Sequence, residues 1–118
     1  MTEREPARQP EDLARMFVQR ARAGDAAGLA ALYEPGAVLA YPPGQQVTGR
    51  DAIRAVMEKL LAAAPRFTPE EPLPTLRFEG LALTSTRPAD GTGGRVQVAR
   101  RQPDGSWLRI IDRPELPA

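Results

Sequence analysis

The chain has 118 residues, no cysteine, no histidine and a formal net charge of +1. That length holds one compact domain, and the missing residue types exclude disulfides, thiolate nucleophiles, imidazole proton shuttles and His- or Cys-ligated metals. The near-neutral charge speaks against a general affinity for nucleic acid, and no apolar run approaches the roughly 20 residues that span a bilayer; with a polar N-terminus, a cytoplasmic location is expected.

Residues 1–10 carry two prolines and four charges without an apolar period, and read as a flexible leader. Residues 11–114 read as the folded body and 115–118 as a tail. Leu13, Met16, Phe17 and Ala21 fall at helical spacing, with Arg15, Gln19 and Arg22 opposite them, which predicts an amphipathic helix. Gly24 and Asp25 supply a helix stop and an N-cap in succession. A short second helix is predicted next, with Leu29, Leu32 and Tyr33 on one face and its end at Pro35-Gly36. Residues 37–41 read as a strand, bounded by Pro-Gly before and Pro42-Pro43-Gly44 after. Gly49-Arg50-Asp51 then opens the clearest helix, whose stripe is Ile53, Val56, Met57, Leu60, Leu61 and Ala64, ending at Pro65.

The period changes in the second half. Residues 76–79 alternate, and residues 81–87, 95–102 and 107–112 follow as strands, so an antiparallel meander is predicted. Asp104-Gly105 is a two-residue hairpin signal. The register that turn sets puts Gln97, Ala99 and Arg101 on one face with Asp112, Ile110 and Leu108. The other face takes Val98 and Arg100 with Ile111, Arg109 and Trp107. Neither face is cleanly polar, so helices should cover one and a second copy of the chain should cover the other.

The element order resembles the superfamily of nuclear transport factor two, ketosteroid isomerase and the polyketide cyclase SnoaL. The resemblance spans roughly residues 11–114. It is carried by Ala23-Gly24-Asp25, by residues 29–38, by Gly49-Arg50-Asp51-Ala52-Ile53, by Gly80-Leu81-Ala82-Leu83 and by residues 104–112. It implies an α+β cone, a curved, mostly antiparallel sheet wrapped around three N-terminal helices, with a hydrophobic pocket and frequent homodimers through the outer sheet face. The isomerase chemistry does not transfer with it. The position matching the general-base aspartate is Tyr41, that matching the oxyanion tyrosine is Phe17, and that matching the protonated aspartate is Gln97 or Val98. Phenylalanine donates no hydrogen bond, and a tyrosine with a pKa near ~10 is a poor base at neutral pH.

The pocket is expected to be lined by Phe17, Tyr33, Tyr41, Met57, Leu60, Phe78, Arg100, Trp107 and Asp112, with Asp112 and Tyr41 as the candidate catalytic groups. Each has a plainer role as well: Tyr41 as a cap on the core, Trp107 and the apolar stripe as packing, and Asp112 as a surface partner of Arg113 or Arg101. Arg100 is a candidate cation for an acidic ligand, with Arg109 expected opposite it as a like charge. Gly91-Thr92-Gly93-Gly94 lacks the Lys-Ser/Thr of a phosphate loop, and neither a metal nor a cofactor is expected. The expectation is a protein that binds a small hydrophobic ligand. The other readings are an isomerase, dehydratase or cyclase acting on a hydrophobic carbonyl compound, and a protein-interaction module whose hollow is filled by side chains.

Overall fold

A computed structural model describes residues 4–63, 70–88 and 94–114. The order is α1 (Asp12–Arg22), α2 (Ala26–Ala30), β1 (Tyr33–Leu39), β2 (Val47–Thr48), α3 (Arg50–Ala62), β3 (Glu71–Pro72), β4 (Leu76–Phe78), β5 (Leu81–Arg87), β6 (Arg95–Arg101) and β7 (Trp107–Arg113). The strands form one sheet in the order β2-β1-β7-β6-β5-β3, with β4 also on β5; β1 and β7 run parallel and every other pair is antiparallel. This is the α+β cone expected from the sequence. Within it α3 packs on β1 and β2, α1 on β7, and α2 joins α1 to α3. Leu13, Met16, Leu29, Leu32, Tyr33 and Ile53 are fully buried between the two layers.

Local chemistry sets the helix ends. Gly24 takes φ +68°, and the Asp25 carboxylate accepts from the Gly28 amide at 2.9 Å, so the stop and the cap occupy consecutive positions as predicted. The second helix, however, ends at Ala30, and Tyr33 belongs to β1 rather than to the helix. The Arg109 amide donates to the Leu32 carbonyl at 2.8 Å and Tyr33 pairs with Arg109, so a parallel ladder captures this stretch before the helix can continue. Pro35 and Gly36 then fall where the β1–β7 register breaks between Tyr33 and Val38, a place where a missing N–H costs no ladder bond. In α3, Ile53 and Met57 are buried and Val56, Leu60 and Leu61 partly so. Ala64, Pro65 and residues 91–93 lie outside the described residues, as do residues 1–3 and 115–118.

Residues 4–10, expected to be a leader, lie against the body. Ala7 and Pro10 are buried, and the Trp107 amide donates to the Ala7 carbonyl at 3.0 Å. Glu70 receives hydrogen bonds from Thr86 (2.8 Å) and Arg95 (2.9 Å).

The last hairpin departs from the predicted register. The Gly105 amide donates to the Gln102 carbonyl (2.9 Å), the Gln102 amide to the Ser106 carbonyl (2.7 Å), and Gly105 takes φ +85°. Pro103 and Asp104 are therefore the centres of the turn, and Gly105 is the left-handed residue after it. A proline favours the first centre of a type I turn, and a three-residue loop of this kind ends in a glycine bulge. Ala99 consequently faces Arg109, not Ile110; Ile110 is then left over as a bulge, and Val98–Ile111 and Gln97–Asp112 return to the predicted pairing. This corrects the two mixed faces. The extra residue turns Trp107 and Arg109 onto the helix-covered face that holds Ala99, Gln97 and Asp112. Arg100 lies opposite Leu108 on the outer face, away from Arg109.

Candidate site on the inner face of the sheet

The inner face is unusually polar for a covered one. Thr86, Gln97, Arg109 and Asp112 are all buried on it, whereas the outer face carries Leu76, Leu83, Val98, Ile111 and Val38 in one cross-strand row. On the inside, Thr84, Gln97 and Asp112 are successive cross-strand neighbours. The Thr84 hydroxyl donates to the Gln97 side-chain oxygen at 3.0 Å.

The centre of the site is Asp112 with Tyr33 and Arg109. The Tyr33 hydroxyl donates to Asp112 Oδ2 at 2.5 Å, and Arg109 Nη1 stands 3.6 Å from the same oxygen. Tyr33 is completely buried, and both charged side chains are only 4% exposed. The Arg109 guanidinium carbon sits 5.5 Å from the Phe17 ring centroid and 5.9 Å from that of Tyr33, within reach of a cation–π attraction. Arg109 Nε and Asp112 Oδ1 have no hydrogen-bond partner among the described residues. Burial and then the Asp112 charge push the Tyr33 phenol well above its ordinary value, against the opposing pull of Arg109. Burial alone would lower the Arg109 pKa, but Tyr33 and Asp112 outweigh it, and the guanidinium is held above its usual range. The phenol stays protonated and the arginine charged throughout the physiological range.

The structure brings together part of the set expected from the sequence. Phe17, Tyr33, Met57, Leu60 and Trp107 lie in or against the core, and of these Phe17 and Tyr33 stand beside the ion pair of Arg109 and Asp112. Tyr41 is 39% exposed beyond the end of β1, and its peptide bond to Pro42 is cis. Phe78 is 70% exposed on β4. Arg100 is exposed on the outer face and donates to Glu34 at 2.9 Å, with Gln102 on the same carboxylate at 2.7 Å. Neither Asp112–Arg113 nor Asp112–Arg101 forms an ion pair among the described residues; Asp112 turns inward to Arg109 instead. Arg109 is the group that sequence reasoning placed on the wrong face. The signal that would have found it is Pro103, which favours the three-residue turn.

A three-helix layer on a mostly antiparallel sheet, with a polar cluster sealed on its inner face, defines an NTF2-like α+β cone. Residues 14–110 match the model of the SnoaL-like domain family, and the chain belongs to that family. Solved structures agree with the fold. A candidate calcium/calmodulin-dependent protein kinase type II association domain from Thiobacillus denitrificans is 19% identical, covering 96% of this chain and 100% of its own with a TM-score of 0.74. An NTF2-like protein with a cystatin-like fold from Novosphingobium aromaticivorans is 20% identical, covering 89% and 77% with a TM-score of 0.66. A candidate dehydratase of the NTF2-like family from Streptomyces avermitilis is 15% identical, covering 93% and 95% with a TM-score of 0.69. No curated protein matches the sequence. Among the described residues no helix is long and apolar enough to cross a membrane.

Proposed function

We propose that the chain binds a small hydrophobic molecule carrying one oxygen function, held on the inner face of the sheet by Arg109 and Asp112. The observation that carries this reading is the pair of buried, unpartnered atoms, Arg109 Nε and Asp112 Oδ1, surrounded by Phe17, Tyr33 and the apolar core. An unpaired buried polar group costs about 1–3 kcal/mol, and more when it is charged, so a ligand supplying a carbonyl or hydroxyl there relieves that cost. Titration of 2-octanone and 2-octanol, followed by melting temperature and by the fluorescence of the single tryptophan, Trp107, tests it. Saturable stabilisation is expected, weakened at least tenfold by Arg109→Lys, which keeps the cation but lacks Nε. Stabilisation that does not saturate, or that the variant leaves unchanged, overturns the reading.

A second reading, proton transfer of the isomerase, dehydratase or cyclase kind, is favoured by one observation: Asp112 is a buried carboxylate with one oxygen free and the other held by a phenol. Turnover of enones or hydroxyketones abolished by Asp112→Asn would support it; turnover unaffected by that change would remove it. The ketosteroid isomerase route gains nothing from the geometry, because Tyr41 is outside and Phe17 covers Arg109.

A homodimer through the outer face is part of the same proposal. The exposed row of Leu76, Leu83 and Ile111 supports it, since such a row on an uncovered face favours association. Sedimentation at micromolar concentration is expected to give twice the chain mass, and Ile111→Glu to give the monomer. A wild-type monomer at every concentration removes the dimer.

A further inference from the structure

A cleft lies between residues 4–7, α1 and the start of β7. Its volume is about 170 Å³, and it is half open to solvent. Leu32, Trp107 and Leu108 form its apolar wall, and Arg4, Glu5 and Arg20 its polar part.

The two arginines are not equivalent. Arg4 forms a bidentate pair with Asp25, both bonds 3.0 Å long. Arg20 is half-buried and donates to two main-chain carbonyls, Gly28 at 2.7 Å and Glu5 at 2.8 Å. No carboxylate lies within ion-pair distance of Arg20 among the described residues. Burial and the neighbouring charge of Arg4 both depress its pKa and outweigh the opposing pull of Asp25 and Glu5. Two neutral acceptors satisfy two of the five N–H donors of a guanidinium and none of its charge. A cation partly withdrawn from water, repelled by a second cation and set beside an apolar wall, is a receptor for an anion with an apolar body.

We infer that this cleft binds a small monocarboxylate with a compact hydrocarbon body, the carboxylate meeting Arg20 and the body lying on Leu32, Trp107 and Leu108. The volume suits a compact body such as a six-carbon ring. Glu5 stands at the same cleft and opposes the ligand, so its charge sets the affinity downward.

The probe is cyclohexanecarboxylate, with cyclohexylmethanol as the neutral isostere and sodium chloride as the ionic control, titrated into the full chain and read by the NMR signals of the Leu108 methyl groups, which line this cleft and not the inner-face cluster. The carboxylate is expected to produce a saturable change, and the alcohol to bind at least tenfold more weakly. Arg20→Gln should abolish the carboxylate's advantage. Glu5→Gln, which keeps the main-chain carbonyl that Arg20 uses, should tighten binding two- to fivefold. Equal binding of acid and alcohol, an equal response to chloride, or no saturable change up to tens of millimolar overturns the site. If Arg20→Gln does not fold, Glu5→Gln decides alone: tighter binding supports the assignment and unchanged or weaker binding overturns it.

Discussion

Asp112→Asn is the sharpest perturbation of the inner-face cluster. The asparagine keeps the volume and can still accept from the Tyr33 hydroxyl now 2.5 Å from Oδ2, so packing and that bond survive in neutral form. What it removes is the only anion within 4.0 Å of Arg109 among the described residues, and the Arg109 side chain is 4% exposed. Breaking a buried ion pair from one side costs about 3–5 kcal/mol, because the remaining charge is stranded. The 3.6 Å single contact, without a fork-shaped pair, places this protein at the lower end, about 3 kcal/mol. In a domain of this size that is a fall of roughly 12–20 °C in melting temperature. Urea unfolding followed by Trp107 fluorescence measures it. The double variant Arg109→Met/Asp112→Asn removes both charges, and should regain most of the loss. A single variant within 0.5 kcal/mol of wild type, or a double variant as unstable as the sum of the singles, would refute the stranded-charge reasoning.

The remaining expectations concern the frame around the site. Tyr33→Phe deletes one hydrogen bond to a buried carboxylate and should cost about 1.5–3 kcal/mol, readable in the same urea experiment, with a loss below 0.5 kcal/mol counting against the contact. Gly28→Ala points a methyl group at the Asp25 carboxyl and should displace the α2 cap, costing about 1 kcal/mol. Gly105→Ala forces a side chain into φ +85° and should cost about 1–2 kcal/mol while leaving the Val98–Ile111 pairing intact by amide exchange. Hydrogen bonding to Arg4 holds the Asp25 carboxyl below its ordinary value of 3.8. Because the folded value is depressed, its stabilising effect is present above the unfolded pKa and is lost as pH falls below about 4 through the folded one. Carboxyl NMR titration should show that depression relieved by Arg4→Gln; an Asp25 titration that the variant does not move contradicts the pair.

Most of the fold is legible in the sequence because periodicity and punctuation agree. The apolar stripes mark α1 and α3, Gly24-Asp25 separates the first helices, and the alternation after residue 75 marks the meander. Two places were not legible for the same reason, since each is decided by a contact distant in sequence rather than by local preference. Leu29, Leu32 and Tyr33 have helical spacing, yet Tyr33 enters β1 because β7 supplies a parallel partner 76 positions further along the chain. Residues 4–10 look like a leader, yet the Trp107 amide finds its acceptor at Ala7.

The site was hidden by a one-residue question. With Asp104-Gly105 as a two-residue turn, Arg109 falls on the face of Arg100 and Asp112 on the opposite one, with Arg101. With Pro103-Asp104 as the turn centres, Gly105 adds a residue, Arg109 swings inward, and the Ile110 bulge returns Asp112 to the same face two positions later. Strand side chains alternate strictly, so without that bulge the inward turn of Arg109 would place Asp112 outside. Both charges reach the interior only because two irregularities lie within one hairpin. Deleting Ile110 itself removes the bulge and the extra residue together, so Arg109 still faces Ala99, Ile111 still faces Val98 and Asp112 still faces Gln97, and both charges stay inside. Amide exchange reporting the Gln102–Ser106 turn intact, together with retention of the Tyr33–Asp112 contact in the NMR spectrum, is the expected result of that deletion; loss of the contact would refute the register argument.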